Sequence, residues 1–377
     1  MTMLAAAVVE RGMPFQMVEA RIPNARAGEV RVKIRAAGVC HTDLAFRDME
    51  LGNPLPMVLG HEGAGIVDQV GAGVLGLAVG DRVALSYNSC GSCPHCADHA
   101  PQYCVQLALL NFAGVDFDPA TGAMTPPLQT AQGGPLFGNF FGQSSFAPFA
   151  IAHARNAVKI PDALPFHLAA PLGCGMQTGA GAVINTIAGR AGQSLIVFGA
   201  GGVGLAAIMA AHDIGMEPIV AIDLVPGRLA LARALGATHA EPGGDGLAER
   251  LAAIAPAAAP GVGAAFDAAI DTTGVPAVVS AAIAALGPRG TMVVVGISAP
   301  GAKAEFELSG FLGGKRIVGT IEGDADPQEF VPRLAAMHLA GRFPHDRLVG
   351  TFPFADINRA CEAMESGATV KPVLLFD

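Results

Sequence analysis

Apolar segments of strand length alternate with helix-forming segments through the second half of the chain. Residues 194–198 and 218–222 are apolar runs typical of buried strands, and 205–214 is an Ala-rich run without proline between them. This alternation predicts an α/β domain with a parallel sheet and right-handed crossovers. Further helices are predicted over 226–237, 246–255 and 275–286, and further strands over 266–271 and 291–297.

The N-terminal part of the chain has a β-rich pattern instead. Short apolar or alternating runs at 5–9, 29–34 and 65–70 are bounded by Gly and Pro. In the second run three apolar side chains alternate with charged ones, which predicts a half-exposed strand. The C-terminal part predicts helices over 327–339 and 357–364 and a strand over 370–376, and the stretch 255–263 predicts a loop.

Length and charge limit the possible classes of protein. A chain of 377 residues predicts two domains. A net charge of −9 with only 15% charged residues argues against a nucleic-acid partner. The stretch 191–212 has no charged residue and could span a bilayer, but its glycines and its flanking strands favour a buried βαβ unit. The N-terminal apolar run is too short for a signal peptide, so a cytoplasmic protein is expected.

A glycine-rich turn follows the first strand of the α/β part. Residues 199–204 read GAGGVG, the G-x-G-x-x-G pattern, and Asp223 ends the next strand about 20 residues on. Gly199 permits the turn, Gly201 lets a pyrophosphate approach, and Gly204 lets helix and strand pack closely. Asp223 can accept hydrogen bonds from a ribose diol and would repel a 2′-phosphate, which favours NAD over NADP. The competing interpretation is a glycine-rich turn beside a core helix.

Four of the seven cysteines lie in one short segment. Their spacing is C-x2-C-x2-C-x7-C, and four thiolates this close can surround one tetrahedral zinc ion with no open position, as in a structural site. An iron–sulfur cluster is the alternative, although the proline that usually follows the last cluster cysteine is absent. His95 and His99 are expected to be exposed loop residues. The four cysteines are Cys90, Cys93, Cys96 and Cys104.

Other residues able to bind a metal are scattered along the chain. Cys40 lies in GVCHTD, His61 and Glu62 lie in GHEG, and Cys174 lies between two glycines just before the nucleotide unit. Each taken alone could equally be a buried thiol or a hydrogen-bonded core histidine. The stretch 119–154 has no charged residue and five phenylalanines, so it is either ordinary core or the wall of an apolar substrate site.

In order and spacing these motifs resemble those of the zinc-containing medium-chain alcohol dehydrogenases over essentially the whole chain. The motifs are GVCHTD, LGHEGAGIV, GDRV, the four-cysteine loop, GCGMQTG and the dinucleotide fingerprint. The segments CHTDLAFRD, GNFFGQSSF and TIEGD are most similar to bacterial aryl-alcohol (benzyl-alcohol) dehydrogenases, and allylic alcohol dehydrogenases look similar. The resemblance implies a GroES-like β-barrel catalytic domain over 1–179 and 323–377, and a Rossmann NAD-binding domain with a doubly wound parallel sheet over 180–322.

The resemblance also assigns roles to single residues. It implies a catalytic zinc on Cys40, His61 and Cys174, in addition to the structural zinc, and so two zinc ions per chain. It places Glu62 near the catalytic metal and makes Asp43 the acid that orients the histidine ligand. The remaining assignments are Thr42 as the hydroxyl that takes the alcohol proton, His41 and Lys371 as cofactor-phosphate contacts, Thr178 and Val203 behind the nicotinamide, Gly202 in the phosphate-binding turn, and Arg228 beside Asp223 at the adenosine ribose.

The sequence departs from the family pattern at two positions. The histidine that passes the proton onward in many members is replaced by Ala45, so the relay from Thr42 must end on water, on the ribose or on His41. Ser86 stands where several relatives have an aromatic residue, and with Phe140 and Phe141 it is expected to line a pocket large enough for a ring.

The expected function is NAD-dependent oxidation of bulky apolar primary alcohols, aryl or allylic, reversibly to aldehydes. One alternative is a glutathione-dependent formaldehyde dehydrogenase, whose anionic adduct would need cationic pocket residues. Another is a zinc-less quinone reductase or a non-catalytic homologue. The resemblance further implies a homodimer joined at the edge of the coenzyme-domain sheet, with a tetramer possible, and no membrane partner.

Overall fold

The computed structural model describes residues 1–118, 121–259 and 262–377. The strands, in chain order, are β1 Thr2–Val8, β2 Gln16–Arg21, β3 Glu29–Gly38, β4 Met57–Val58, β5 Glu62–Val70, β6 Arg82–Leu85, β7 Asp116–Phe117, β8 Met124–Thr125, β9 Leu128–Thr130, β10 Pro135–Leu136, β11 Phe149–His153, β12 Ala157–Lys159, β13 Leu195–Phe198, β14 Ile219–Asp223, β15 His239–Pro242, β16 Ala257–Ala259, β17 Val262–Ala264, β18 Phe266–Asp271, β19 Leu286–Val294, β20 Arg316–Gly319, β21 Val349–Pro353 and β22 Lys371–Leu375.

The helices are shorter in the first part of the chain than in the second. They are α1 His41–Asp48, α2 Pro94–Ala97, α3 Leu107–Asn111, α4 Phe166–Ala169, α5 Gly175–Gly181, α6 Gly202–Ile214, α7 Pro226–Ala234, α8 Leu247–Ile254, α9 Pro276–Ala285, α10 Pro327–Leu339 and α11 Ile357–Glu365. A π-helical turn, Ala182–Thr186, continues α5.

The chain divides into two compact units. Unit 1 comprises Met1–Cys174, Asp326–Ala340 and His345–Asp377, and unit 2 comprises Gly175–Ala325 and Gly341–Pro344. The C-terminal segment therefore returns to the unit that the N-terminal segment begins.

The described part of unit 1 contains two large, mainly antiparallel sheets and the small antiparallel pair β7-β8. One has the strand order β10-β9-β2-β1-β4, and the other has the order β12-β6-β5-β3-β22-β21 with β11 also paired to β3. Along β3 the side chains alternate as predicted, since Val30, Val32 and Ile34 are buried and the residues between them are half-buried. These residues pack with Val67 and Leu85 in the core of this unit.

Unit 2 is built on a six-stranded parallel sheet, which confirms the α/β prediction. The strand order is β15-β14-β13-β18-β19-β20, and every neighbouring pair is parallel. Strand β13 lies in the middle and is buried along its whole length, because helices cover both faces of such a sheet. The core of the unit includes Ile196, Phe198, Val220 and Met292.

The stretch 255–263, predicted as a loop, is the main departure from the predicted elements. It contains β16 and the start of β17, which pair antiparallel; residues 260 and 261, like 119 and 120, lie outside the described residues. None of the helices in the described part of the chain has the length and apolar character needed to cross a bilayer.

Candidate functional site

Asp43 organises the first group of predicted site residues. It is the third residue of α1, and its Oδ2 accepts the Cys40 N–H at 2.9 Å. Its Oδ1 accepts the Gly60 N–H at 3.0 Å and lies 2.9 Å from His61 Nδ1. Asp43 and His61 are both fully buried. One carboxylate thus caps the helix, fixes the turn before His61 and orients the imidazole, which is the arrangement expected of a metal-ligating histidine.

The turn that presents His61 requires a glycine. Gly60 has φ of +91°, a conformation that L-residues rarely adopt. A Cβ at this position would also lie 2.5 Å from the Phe146 backbone nitrogen. The turn places His61 directly before β5.

Cys40, His61, Glu62 and Cys174 converge, with one ligand atom of each lying within 4.8 Å of the others. All four belong to unit 1. His61 Nε2 is buried and has no hydrogen-bond partner among the residues that the structure describes. A buried polar atom without a partner is costly. Two thiols and an imidazole nitrogen so placed are the donor set of a zinc ion that keeps one position open, so these residues fit the metal.

The electrostatics of this group favour a cation. The pKa of the Cys40 thiol is well below its usual value, mainly because of a hydrogen bond with Cys174. Burial alone would raise this pKa, whereas the Lys371 ammonium and His61 lower it further. Burial would lower the pKa of His61, but the Asp43 carboxylate and Cys40 raise it well above its usual value. A metal ion that binds here must therefore displace protons, as ligand deprotonation always requires.

Glu62 forms a buried ion pair with Lys371. The Lys371 Nζ donates to the two carboxylate oxygens at 2.8 and 3.0 Å and to the Val39 carbonyl at 3.3 Å. Burial raises the pKa of Glu62 to about 7, an effect that Lys371 opposes. Burial would lower the pKa of Lys371, but Glu62 raises it, so the amine stays charged. Lys371 is only 4% exposed, and its contact with a cofactor phosphate stays a prediction.

Thr42 and two aromatic rings surround the same group. Thr42 Oγ1 lies 3.8 Å from Cys40 Sγ, while His41, the first residue of α1, is exposed. The Phe141 ring stacks on the His61 imidazole with centroids 4.4 Å apart and an interplanar angle of 22°. Phe140 meets the imidazole edge-on at 5.4 Å. The two rings predicted to line a substrate pocket therefore contact the candidate zinc ligand itself.

Ser86 is fully buried, and its hydroxyl donates to the Gly173 carbonyl at 2.6 Å, next to Cys174. Gln143, which sequence analysis did not select, connects this region to His61. Its amide donates to the His61 and Ser86 carbonyls at 2.9 and 3.2 Å, and its oxygen accepts the Gly63 N–H at 3.0 Å. The stretch 119–154 contains four amide side chains, Gln129, Gln132, Asn139 and Gln143, and nothing in the sequence distinguished Gln143 from the others.

The four cysteines of the predicted structural zinc site also converge. All seven cysteines of the chain are free thiols, and the four sulfurs lie within 4.8 Å of one another. The Cys93–Cys96, Cys90–Cys96 and Cys93–Cys104 sulfur pairs are 3.5, 3.9 and 4.0 Å apart. Ligands around a tetrahedral zinc at ~2.3 Å are about 3.8 Å apart, so the spacing fits. Backbone N–H groups donate to Cys90 at 3.3 and 3.5 Å and to Cys104 at 3.2 and 3.4 Å.

We expect Cys93→Ser to remove this zinc and destabilise unit 1. Loss of a structural metal is among the large destabilising changes, here taken as about 3 kcal/mol, which corresponds to about 6–12 °C in Tm for a domain of this size. Metal analysis and thermal unfolding would measure both effects. His95→Ala, at an exposed position of the same loop, is the control and should keep the zinc. Full zinc content in Cys93→Ser would contradict the assignment.

The glycine turn of unit 2 has the form that a dinucleotide requires. Gly199 has φ of +91°, and a Cβ at Gly204 would lie 1.8 Å from the Gly199 carbonyl oxygen, so neither position accepts a larger residue. At Gly201 a Cβ would meet nothing within 4 Å, so the backbone there is open to a ligand. Gly201 caps α6, which begins at Gly202 and continues through Val203. The N–H groups at this helix end can hold a pyrophosphate.

Asp223 lies at the carboxyl end of β14, beside this turn. Its two oxygens accept the Ala200 and Val225 N–H groups at 2.7 and 2.8 Å, and the Arg228 guanidinium is 3.9 Å away. Each carboxylate oxygen keeps acceptor capacity for a ribose hydroxyl. The structure therefore brings the predicted ribose residues together within unit 2.

Thr178 lies on α5 in the same unit, where its hydroxyl donates to the Glu322 carboxylate at 3.2 Å. Like Gln143, Glu322 was not selected by sequence analysis. The TIEGD motif marked this segment in the sequence, but no role was assigned to its acid.

Unit 1 also has a cavity of about 360 Å³, which is separate from the residues predicted to line the substrate pocket. It is lined by Arg26, Ser89, Cys90, Asp116 and Arg155 among others, and by none of the predicted pocket residues. It borders the four-cysteine loop and is not the predicted substrate pocket.

Comparison with known proteins agrees with this geometry. Residues 26–162 match the family model described as alcohol dehydrogenase GroES-like domain, and residues 202–337 match the model described as zinc-binding dehydrogenase. The chain is 46% identical to a geraniol dehydrogenase of Castellaniella defragrans, over 99% of this chain and 97% of that protein.

Two crystal structures are similar over their whole length. An alcohol dehydrogenase zinc-binding domain protein from Burkholderia ambifaria is 48% identical with a TM-score of 0.94, covering 100% of this chain and 99% of the other. Benzyl alcohol dehydrogenase from Acinetobacter calcoaceticus is 38% identical with a TM-score of 0.92, covering 100% of both chains. The predicted GroES-like and Rossmann-type fold is thereby confirmed, and the chain belongs to the zinc-containing medium-chain alcohol dehydrogenases, oxidoreductases that act on alcohols.

Proposed function

We propose that this enzyme oxidises bulky apolar primary alcohols, aryl or allylic, to aldehydes with NAD. The observation that carries the proposal is the convergence of Cys40, His61 and Cys174, with the rings of Phe140 and Phe141 packed against the His61 imidazole. Zinc held by these donors would supply the Lewis acidity that alcohol oxidation needs. The two rings make the surroundings of His61 apolar.

Three residues would hold the catalytic zinc, and their neighbours would set its properties. Zinc bound there would supply Lewis acidity, which lowers the pKa of an alcohol hydroxyl towards ~7. Asp43 fixes the His61 tautomer so that Nε2 is the ligating atom. Lys371 holds Glu62 through two short hydrogen bonds, so the carboxylate is kept beside the three donors without an uncompensated charge. Cys90, Cys93, Cys96 and Cys104 would hold the second zinc.

Thr42 is proposed as the group that receives the alcohol proton. It is the second residue of α1, and its hydroxyl lies 3.8 Å from the Cys40 sulfur, at the edge of the donor group. With Ala45 at the position of the relay histidine, the proton must continue to water, to the cofactor ribose or to His41. The exposure of His41 is compatible with a final transfer to solvent.

The proposed substrate class is supported by the lack of Asp, Glu, Lys and Arg in the stretch 121–154, which carries the rings. Phe140 and Phe146 are fully buried, and Phe141 is 7% exposed. This environment suits a ring or a branched apolar chain, and an anionic glutathione adduct would need cations that the stretch 121–154 does not contain. The geraniol and benzyl alcohol dehydrogenases to which the chain is similar act, by their names, on alcohols of these two kinds.

NAD is proposed as the cofactor on the geometry of the glycine turn and Asp223. The open backbone at Gly201 can accept the pyrophosphate at the N-terminus of α6. A 2′-phosphate would be placed against the Asp223 carboxylate, which disfavours NADP. In this assignment Thr178 and Val203 pack behind the nicotinamide ring.

A panel of alcohols with NAD and NADP tests the proposal. We expect kcat/KM for benzyl alcohol and geraniol to exceed that for ethanol by roughly 10²-fold, since each buried methylene contributes ~0.8 kcal/mol. NAD should be preferred over NADP by a similar factor. Formaldehyde with glutathione serves as the matched control. Equal kcat/KM for ethanol and benzyl alcohol would contradict the substrate class, and efficient turnover of the glutathione adduct would favour the alternative dehydrogenase.

We also infer a homodimer formed through β20. This strand is at the edge of the six-stranded sheet, and no other strand of the described chain pairs with its outer side. Leu308 and Leu312, in the turn that precedes it in the chain, are 79% and 92% exposed and would supply apolar surface to such an interface. Pairing with a second copy would satisfy both features. Sedimentation equilibrium that returned the mass of a single chain would contradict it.

A further inference from the structure

Residues 320–324, which we call the strap, adopt a strained backbone conformation within unit 2. Glu322 and Asp324 have φ of +52° and +50°, in the left-handed region that is strained for a residue other than glycine. Such conformations persist only where the surrounding contacts hold them in place.

Side chains of the π-helical turn after α5 supply such contacts. The Asn185 amide donates to the Gly323 and Asp324 carbonyls at 3.0 and 3.3 Å. The Thr186 hydroxyl donates to the Asp324 carboxylate at 2.7 Å and lies 3.1 Å from the Thr320 hydroxyl. These contacts hold the strap at Thr320 and at Asp324. The position of Glu322, which lies between them, is thereby restricted.

The Glu322 side chain reaches back to α5. Glu322 is 6% exposed, and its Oε2 accepts hydrogen bonds from Gln177 Nε2 at 2.9 Å and from Thr178 Oγ1 at 3.2 Å. Hydrogen bonds to a buried carboxylate are roughly twice as strong as neutral ones. The strap therefore holds two consecutive side chains of the helix.

The bond to Thr178 decides which rotamer that side chain adopts. Threonine in a helix divides between two χ1 rotamers, because its hydroxyl can also bond to the carbonyl one turn earlier. The hydrogen bond to Glu322 restrains Oγ1, and because the methyl group is on the same Cβ, it restrains the direction of the methyl group as well. Removing the carboxylate would remove this restraint and would let the surface that Thr178 presents change.

We propose that Glu322 is a positioning residue for the nicotinamide end of the cofactor, acting through the Thr178 rotamer. The inference rests on the proposed function, in which Thr178 packs behind the nicotinamide. The hydrogen bonds of Glu322 to Gln177 and Thr178 join it to α5, whereas the proposed binding residues of the adenosine end are Asp223 and Gly201. Its effect should therefore be confined to ligands that carry a nicotinamide ring.

The test compares the dissociation constants of NADH and of ADP-ribose, which lacks the nicotinamide, for the zinc-loaded enzyme. We expect Glu322→Leu to weaken NADH about tenfold, the loss of one hydrogen bond to a charged group, and to leave ADP-ribose within about twofold. Glu322→Gln keeps an acceptor oxygen and should stay close to wild type. Thr178→Val removes the donor instead and should reproduce the selective loss, and the double variant should lose little more than either single one.

Thr186→Val loosens the strap that positions Glu322, so it should also weaken NADH selectively, by less than Glu322→Leu does. Ser280→Ala is the matched control, because it removes one hydroxyl hydrogen bond elsewhere in unit 2, from the Glu305 N–H. It should leave both dissociation constants unchanged. Equal weakening of NADH and ADP-ribose by Glu322→Leu would show a structural role only and would overturn the inference, as would unchanged NADH binding. A wild-type enzyme that binds neither ligand would overturn the proposed function and this inference with it.

Discussion

Cys174→Ala is expected to reduce turnover of benzyl alcohol by roughly 10³-fold or more. Lewis-acid stabilisation by zinc is worth several kcal/mol, and each ~1.4 kcal/mol is a factor of ten in rate. Cys174 is buried among the other donors, so its loss leaves Cys40 and His61 as the only nitrogen and sulfur ligands. Zinc content should fall from two ions per chain to one, measured by metal analysis beside steady-state kinetics.

Two further variants make this experiment decisive. Cys361→Ala removes a buried thiol that belongs to neither cysteine group, and it should keep both zinc ions and most of the activity. Glu62 has a ligand oxygen in the same group and could replace the missing thiolate, so Glu62→Gln should be combined with Cys174→Ala. If that double variant still bound two zinc ions and turned over normally, the catalytic metal would have to lie elsewhere.

Thr42→Ala is expected to lower kcat by roughly 10²-fold or more while leaving zinc content unchanged. Positioned acid–base groups contribute about 10²–10⁴-fold, and the Thr42 hydroxyl lies 3.8 Å from the Cys40 sulfur, close to where the alcohol oxygen would be. Zinc should be retained because Thr42 is not one of the grouped metal donors. Steady-state kinetics with benzyl alcohol, together with metal analysis, would show both results.

Thr42→Ser provides the comparison, since it keeps the hydroxyl and removes only a methyl group. Its kcat should remain within a few-fold of the wild-type value, as expected where the hydroxyl is the acting group. Near-normal turnover in Thr42→Ala would instead exclude Thr42 from the proton path. The proton would then pass from the alcohol to water directly, a route that Ala45 leaves open.

Some features were predictable because they are local in the sequence. The glycine turn, the strands on either side of it and α6 follow from residues that are neighbours in the chain, and the structure has them within three residues of the predicted positions. The four-cysteine loop is equally local, since fifteen consecutive residues can surround one ion. The family could be identified from these motifs and their order, and the comparisons confirm it.

Other features could not be predicted, because they depend on contacts between distant segments. The stretch 255–263 was expected to be a loop, yet β16 within it pairs antiparallel with β17. The ion pair of Glu62 with Lys371 joins a residue of β5 to one of β22, which no spacing rule connects. The stacking of Phe141 on His61 depends on a left-handed residue in an irregular segment, where sequence patterns carry little information.

The sequence by itself determined which chemical groups are present, their order, and the local turns and helices that display them. Only the tertiary structure decided that Cys40, His61 and Cys174 meet, and that Glu322 holds Thr178. The physical reason is that side-chain type and backbone propensity act over a few residues. The meeting of distant donors is fixed instead by the pairing of β3 with β5 and β22 and by the burial of the apolar residues that hold those strands together.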